Sequence, residues 1–182
     1  MCKVDENVEI IRGNHIKLME KQIEIVENAE KVLAITGSRT RNEKYMKTIE
    51  SAIIKNPNLE YYRILLGMPH NEGLKSHLFN CLKIVEPIEK EKMKRYLFLG
   101  FYKDTKLESE KFICSNEKQA LVILPSFERI MKYDSGIVFH DKNDVSRMVE
   151  YVKQLYIRGI DITLENSINK LKVYKHNKRR EN

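Results

Sequence analysis

The 182 residues, 42% of them hydrophobic, suit one domain with a core of its own. No apolar run approaches the about 20 residues that span a bilayer, and no basic segment followed by an apolar stretch opens the chain; both predict a protein without membrane anchor or signal peptide, located in the cytoplasm. Cys2, Cys81 and Cys114 are odd in number, far apart and without CxxC spacing, so they read as reduced thiols rather than a disulfide framework or a zinc site. The net charge of +7 invites a nucleic-acid partner, yet Lys170, Lys172, Lys175, Lys178, Arg179 and Arg180 concentrate it in one C-terminal tail. The rest of the chain is nearly balanced, and global charge describes solubility and general attraction rather than a reading surface.

Residues 5–29 read as one helix. Val8, Ile11, Leu18 and Ile25 form one apolar stripe, and Ile16, Met19, Ile23 and Val26 form a second beside it. So wide an arc asks for two neighbours: the domain itself, and either more of that domain or a second copy of the chain. The period then changes. Lys31–Thr36 is a short apolar run closed by Gly37-Ser38, the pattern of a buried strand. Thr40 and Glu43 have capping-box spacing, which predicts a helix from there to about Lys55, ended by Asn56-Pro57-Asn58.

The unit repeats in outline. Tyr61–Leu66 is a strand, Gly67-Met68-Pro69 a turn, and Asn71 the cap of a helix reaching about Ile84. Strand, glycine turn and capped helix, twice over, is the signature of a parallel βαβ arrangement. Strand-like runs follow at Tyr96–Phe101, Lys111–Cys114, Ala120–Leu124 and Gly136–Phe139, and the short links between several of them predict a sheet that becomes partly antiparallel. Asp141 or Asn143 caps a helix carrying Val145, Met148, Val149, Val152, Leu155 and Tyr156, and an amphipathic segment with Leu164, Ile168 and Leu171 leads into the tail. The expected fold class is therefore α/β, with a mixed, mostly parallel sheet flanked by helices. Its divisions are an N-terminal helix for packing or dimerisation (1–29), an α/β domain (30–160), and a C-terminal helix with a basic tail (161–182).

In an open α/β sheet, ligands bind beyond the carboxyl ends of the strands, where loops lead into helix N-termini. The first such end, Thr36 to Arg41, offers the backbone of Gly37, the hydroxyl of Ser38, the guanidinium groups of Arg39 and Arg41, and the positive end of a helix. The second, with His70, lies beside it if the two strands are neighbours, and Arg63 sits near the end of its strand. These residue types together match a phosphate or carboxylate. Among the acids, Glu86 and Glu89 fall in charged turns without an evident partner for acid–base work. His70 and His77 lack a third ligand at metal spacing, Ser126 follows Pro125 without a nucleophile elbow, and no glycine-rich phosphate loop occurs. No metal or other cofactor is expected.

The stretch from Phe112 through Leu124-Pro125-Ser126, then Tyr133–Phe139 and the following helix, resembles the second part of a phospholipase D-type domain. That family carries a His-x-Lys-x4-Asp motif on a strand and loop, followed by a Gly-Ser-x-Asn turn. Laid on this chain, the resemblance puts Phe112 at the histidine, Cys114 at the lysine and Gln119 at the aspartate. Ser126 falls at the serine, with Pro125 and Glu128 in place of glycine and asparagine. It thus implies the scaffold without the nucleophile, the phosphate-holding lysine or their acidic partner, and no catalytic residue is assigned. Residues from Ala34 through Pro69 and His77-Leu78 are similar to uncharacterised sensor-type domains attached to bacterial helix-turn-helix regulators.

The strand-end cluster and the missing His-Lys-Asp set predict a non-catalytic regulatory domain that binds a small anionic or phosphorylated ligand or a protein partner, and the resemblance implies a homodimer. The site residues expected are Gly37, Ser38, Arg39, Arg41, Arg63, His70 and Ser126. Two alternatives stand beside this reading. One is a phosphodiesterase or nuclease using His70, His77 and Ser126; the other is a nucleic-acid-binding accessory protein using the basic tail.

Overall fold

A computed structural model describes residues 7–102, 112–125 and 133–173. The strands are β1 (Val8–Ile11), β2 (Val32–Thr36), β3 (Glu60–Leu66), β4 (Leu97–Tyr102), β5 (Phe112–Asn116), β6 (Ala120–Pro125), β7 (Tyr133–Phe139) and β8 (Ile160–Asp161). The helices are α1 (His15–Glu27), α2 (Glu43–Lys55), α3 (Glu72–Lys92), α4 (Lys142–Arg158) and α5 (Glu165–Lys170). All eight strands form one sheet in the order β1-β7-β6-β5-β2-β3-β4-β8. β2 lies in its middle, which is why its five residues are all buried and its sequence, Val-Leu-Ala-Ile-Thr, shows no alternation.

The expected mixed α/β sheet with flanking helices is present, but its parallel share is smaller than expected. β2–β3 and β3–β4 are parallel, while the pairs β2–β5, β5–β6, β6–β7, β1–β7 and β4–β8 are antiparallel. A parallel connection needs a crossover of a dozen or more residues, and Glu117–Gln119, which links β5 to β6, can only reverse the chain.

Alternation along the strands separates two apolar layers. Leu33, Ile35, Tyr61, Leu65, Leu97 and Leu99 face α1, α2, α3 and α5; Val32, Ala34, Tyr62, Ile64 and Leu66 face α4. The N-terminal segment differs from the single helix expected. Val8–Ile11 pairs with β7, Ile11 opposite Gly136, and Gly13 takes a left-handed φ of 57°. Asn14 then starts α1, its side chain accepting from Lys17 N at 2.9 Å. The spacing of Val8, Ile11, Leu18 and Ile25 fits a helix only by coincidence, because a glycine at positive φ and a capping asparagine interrupt it. The second stripe is absorbed within the domain. Val26 is buried, Met19 and Ile23 pack on the core, and Ile16 alone of that stripe is largely exposed.

Two other boundaries moved. α2 is capped by Asn42, whose Oδ1 accepts from Tyr45 N at 2.8 Å, and not by Thr40, whose hydroxyl is engaged elsewhere. α3 runs on through Pro87 to Lys92 because its last turns are anchored. Glu89 Oε1 accepts from Tyr96 N at 2.6 Å and Leu97 N at 2.8 Å, tying the helix end to the start of β4. Glu89 is thus a structural acceptor with two partners, not a carboxylate in a charged turn.

Between α2 and α3 lies a buried polar pair. His77 is 2% exposed and its Nδ1 is 2.8 Å from Glu50 Oε1. Burial pushes the imidazole down to about 4, and the Arg63 charge nearby adds to this against the pull of Glu50. His77 is therefore neutral at pH 7 and donates from Nδ1 to Glu50. Its folded pKa lies below the ordinary value of about 6.5, so on acidification the unfolded chain takes the proton first and stability falls. Stability is expected to fall from about pH 7 to about pH 5, a range above most carboxylate titrations. Urea midpoints at the two pH values measure it, and His77→Gln is expected to flatten the difference. An equal slope in the variant would show that another group is responsible.

Candidate functional site

The ends of β2 and β3 are stitched into one platform. Gly37 N donates to Ile64 O at 2.9 Å, Ser38 Oγ to Gly67 O at 2.9 Å, His70 N to Ser38 O at 3.0 Å, and Asn71 Nδ2 to Thr40 O at 2.7 Å. From beneath, Arg63 Nη2 donates to Gly37 O at 3.0 Å and to Thr40 Oγ1 at 2.6 Å. Neighbouring parallel strands with glycine at both ends bring these loops together, as the sequence predicts.

Beside the platform, between α1 and β5, lies a pocket of about 320 Å³. Arg39 and Arg41 come from the β2–α2 loop, His15, Leu18, Met19 and Gln22 from α1, Phe112 and Cys114 from β5, Ile123 from β6 and Tyr133 from β7. Arg41 is exposed and Arg39 half-buried, its guanidinium 5.7 Å from the centre of the Tyr133 ring. No Asp or Glu occurs among the described lining residues. A wider depression of about 670 Å³ is lined by Glu27 at the end of α1, by Ala29 and by Lys44, Thr48, Ser51 and Lys55 of α2, with Lys47 paired to Glu43 at 2.6 Å. It gathers no strand ends.

The expected site residues therefore separate into three groups. Arg39 and Arg41 line the pocket. Gly37, Ser38 and His70 build the platform behind it, with Ser38 fully buried and Arg63 at 0% exposure underneath. Ser126 lies outside the described residues. The apolar wall has no counterpart among the expected site residues, because its members come from strands and a helix far apart in the chain. The signal available was the alternation of Phe112 and Cys114, which puts both on the pocket side of β5 while Ile113 turns to α4.

Cys114 and Tyr45 close the back of the pocket. The Tyr45 hydroxyl donates to Cys114 Sγ at 3.2 Å, and burial raises the pKa of both groups, the thiol to about 12. Burial also pushes the Cys81 thiol well up. Neither thiol is a thiolate at neutral pH, so neither is a nucleophile. What the arrangement offers chemically is a cationic rim over an apolar interior.

Gly37 is required twice over. Its φ is 116°, and a Cβ built there would meet the Phe112 ring. Gly37→Ala is expected to cost about 1–3 kcal/mol in strain and to displace the ring, narrowing the pocket. Urea denaturation of the variant checks this, and an unchanged midpoint would mean that the platform is softer than its geometry.

No family model matches the chain, and no curated protein does. Solved structures do. Nuc from Salmonella typhimurium, a phospholipase D family member, matches at 8% identity and a TM-score of 0.59, over 85% of this chain and 96% of its own. NucT from Helicobacter pylori matches at 10% identity and a TM-score of 0.59, over 85% and 96%. TrmBL2, an archaeal chromatin protein with a novel mode of DNA binding, matches at 15% identity and a TM-score of 0.55. That match covers 87% of this chain but only 55% of TrmBL2. At such identities the likeness concerns architecture alone: the chain has a phospholipase D-like α/β fold.

Proposed function

We propose that this chain is a non-catalytic phospholipase D-like domain that binds a small anionic ligand in a regulatory role. The pocket carries the reading: Arg39 and Arg41 stand at its rim and no carboxylate occurs among its described lining residues. Phe112 and Cys114 occupy the positions where the resemblance puts a nucleophilic histidine and a phosphate-holding lysine. A phenyl ring has no lone pair to offer a phosphorus atom, and a thiol held protonated cannot replace either group. The alternative set of His70, His77 and Ser126 is weakened by the burial of His77 against Glu50. The similar structures include phospholipase D family members and a DNA-binding chromatin protein, so the fold by itself favours neither catalysis nor binding.

The purified protein is expected to leave bis(4-nitrophenyl) phosphate unhydrolysed. Thermal shift identifies the tightest binder among inorganic phosphate, glucose 6-phosphate and simple carboxylates. That anion is expected to bind Arg39→Gln about tenfold to a hundredfold more weakly, the range set by ~1.5–3 kcal/mol for a hydrogen bond to a charged group. Diester turnover that survives repurification would overturn the non-catalytic reading. Unchanged affinity in the variant would move the site away from this pocket. Oligonucleotide binding that outranks every small anion and collapses with added salt would transfer the function to nucleic acid.

A further inference from the structure

We infer that the ligand of this pocket is an amphipathic anion, with one charged head at Arg39 and Arg41 and an apolar body of about the size of a medium-length acyl chain. The inference rests on the anion-binding reading above and specifies the chemical class that the site selects. Its basis is the contrast between rim and interior. The interior is walled by Leu18, Met19, Ile35, Phe112 and Ile123. Several polar groups of the lining are committed within the protein, while His15 and Gln22 of α1 add polar side chains on one side. Tyr45 donates to Cys114, the Cys114 thiol lies 4.0 Å from Gln22 O, and Thr36 Oγ1 accepts from Ile113 N at 2.8 Å.

A sugar phosphate seated here would place most of its hydroxyls against carbon, which costs affinity. A methylene seated in the same space gains up to about fourfold in affinity, the equivalent of its transfer out of water. The volume of about 320 Å³ lies at the small end of ligand pockets, so it suits a single short chain or one substituted ring. Charge complementarity settles which end faces out. Both arginines come from the loop that opens to solvent, and no described lining residue carries a carboxylate to repel an anionic head.

The pocket is also pre-formed. The Phe112 ring is held edge-on to Tyr133, with centroids 4.7 Å apart at 82°, and packs against the Cα of Gly37. Tyr133 in turn carries the Arg39 guanidinium over its face. One aromatic pair thus fixes both the apolar wall and the position of a cation.

The test titrates the full chain with octanoate, acetate, 1-octanol, inorganic phosphate and glucose 6-phosphate, using calorimetry with light scattering alongside. Octanoate is expected to bind about tenfold or more tightly than either acetate or 1-octanol, because the site reads chain and charge together. Met19→Trp, which fills the interior, is expected to abolish octanoate binding, and Arg39→Gln to weaken it about tenfold or more. Ile123→Phe gives the same readout if the tryptophan variant does not fold. Phosphate or glucose 6-phosphate binding as tightly as octanoate, and lost in Arg39→Gln, would overturn the amphipathic inference while leaving the anion reading intact. 1-Octanol binding as tightly as octanoate, or no binding by any probe, would overturn both. A dimer that dissociates in Met19→Trp, with no small anion bound, would assign the pocket to a second copy of the chain and likewise overturn the inference.

Discussion

The Arg63 guanidinium is sealed beneath the ends of β2 and β3, and its Nη2 holds both Gly37 O and Thr40 Oγ1. Removing a permanent cation from water costs several kcal/mol unless its donors find acceptors. Here the two acceptors are neutral, and Nε and Nη1 have no hydrogen-bond partner among the described residues. The charge is felt instead through the core. It favours the ionised forms of Tyr45, Tyr61, Cys81 and Cys114 against burial, and it opposes protonation of His77. One residue thus bends the loop that presents Arg39 and Arg41 and sets the electrostatics between sheet and helices.

The parts of the fold legible in the sequence were those dictated by neighbours in the chain. Asn71 and Asp141 cap their helices through their own side chains, and β2 announces itself by an unbroken apolar run closed by Gly37. The parts that were not legible depend on distant partners. Val8–Ile11 is a strand because β7 offers it a free edge, and no periodicity within residues 5–29 records that edge. Thr40 looked like a cap because the spacing to Glu43 was right; Arg63 claims its hydroxyl from across the platform. α3 outruns its expected end because Glu89 finds two backbone donors at the entrance to β4.

The candidate site divides along the same line. The cationic rim is contiguous in sequence, so Arg39 and Arg41 were visible as a pair beside Gly37. The apolar interior is assembled from α1, β2, β5 and β6, and each contributor reads by itself as ordinary core. What converts core into pocket is the gap between α1 and the end of β5, a tertiary distance that no local pattern encodes.

The placement of Phe112 and Cys114 is fixed by the sheet, while the chemistry of their face is left to their side chains. The ladder that holds β5 pairs Phe112 with Ile123, Ile113 with Val122 and Cys114 with Leu121, and these are backbone bonds indifferent to the side chains outside the sheet plane. Alternation then delivers positions 112 and 114 to one face whatever residues occupy them. A histidine and a lysine there would present a nucleophile and a cation to a phosphate; a phenyl ring and a protonated thiol present a dry wall. The charges at the mouth, Arg39 and Arg41, then stand beside an apolar wall. The chemistry of this face is then decided by two positions on one strand, and the sheet beneath has no reason to move with it.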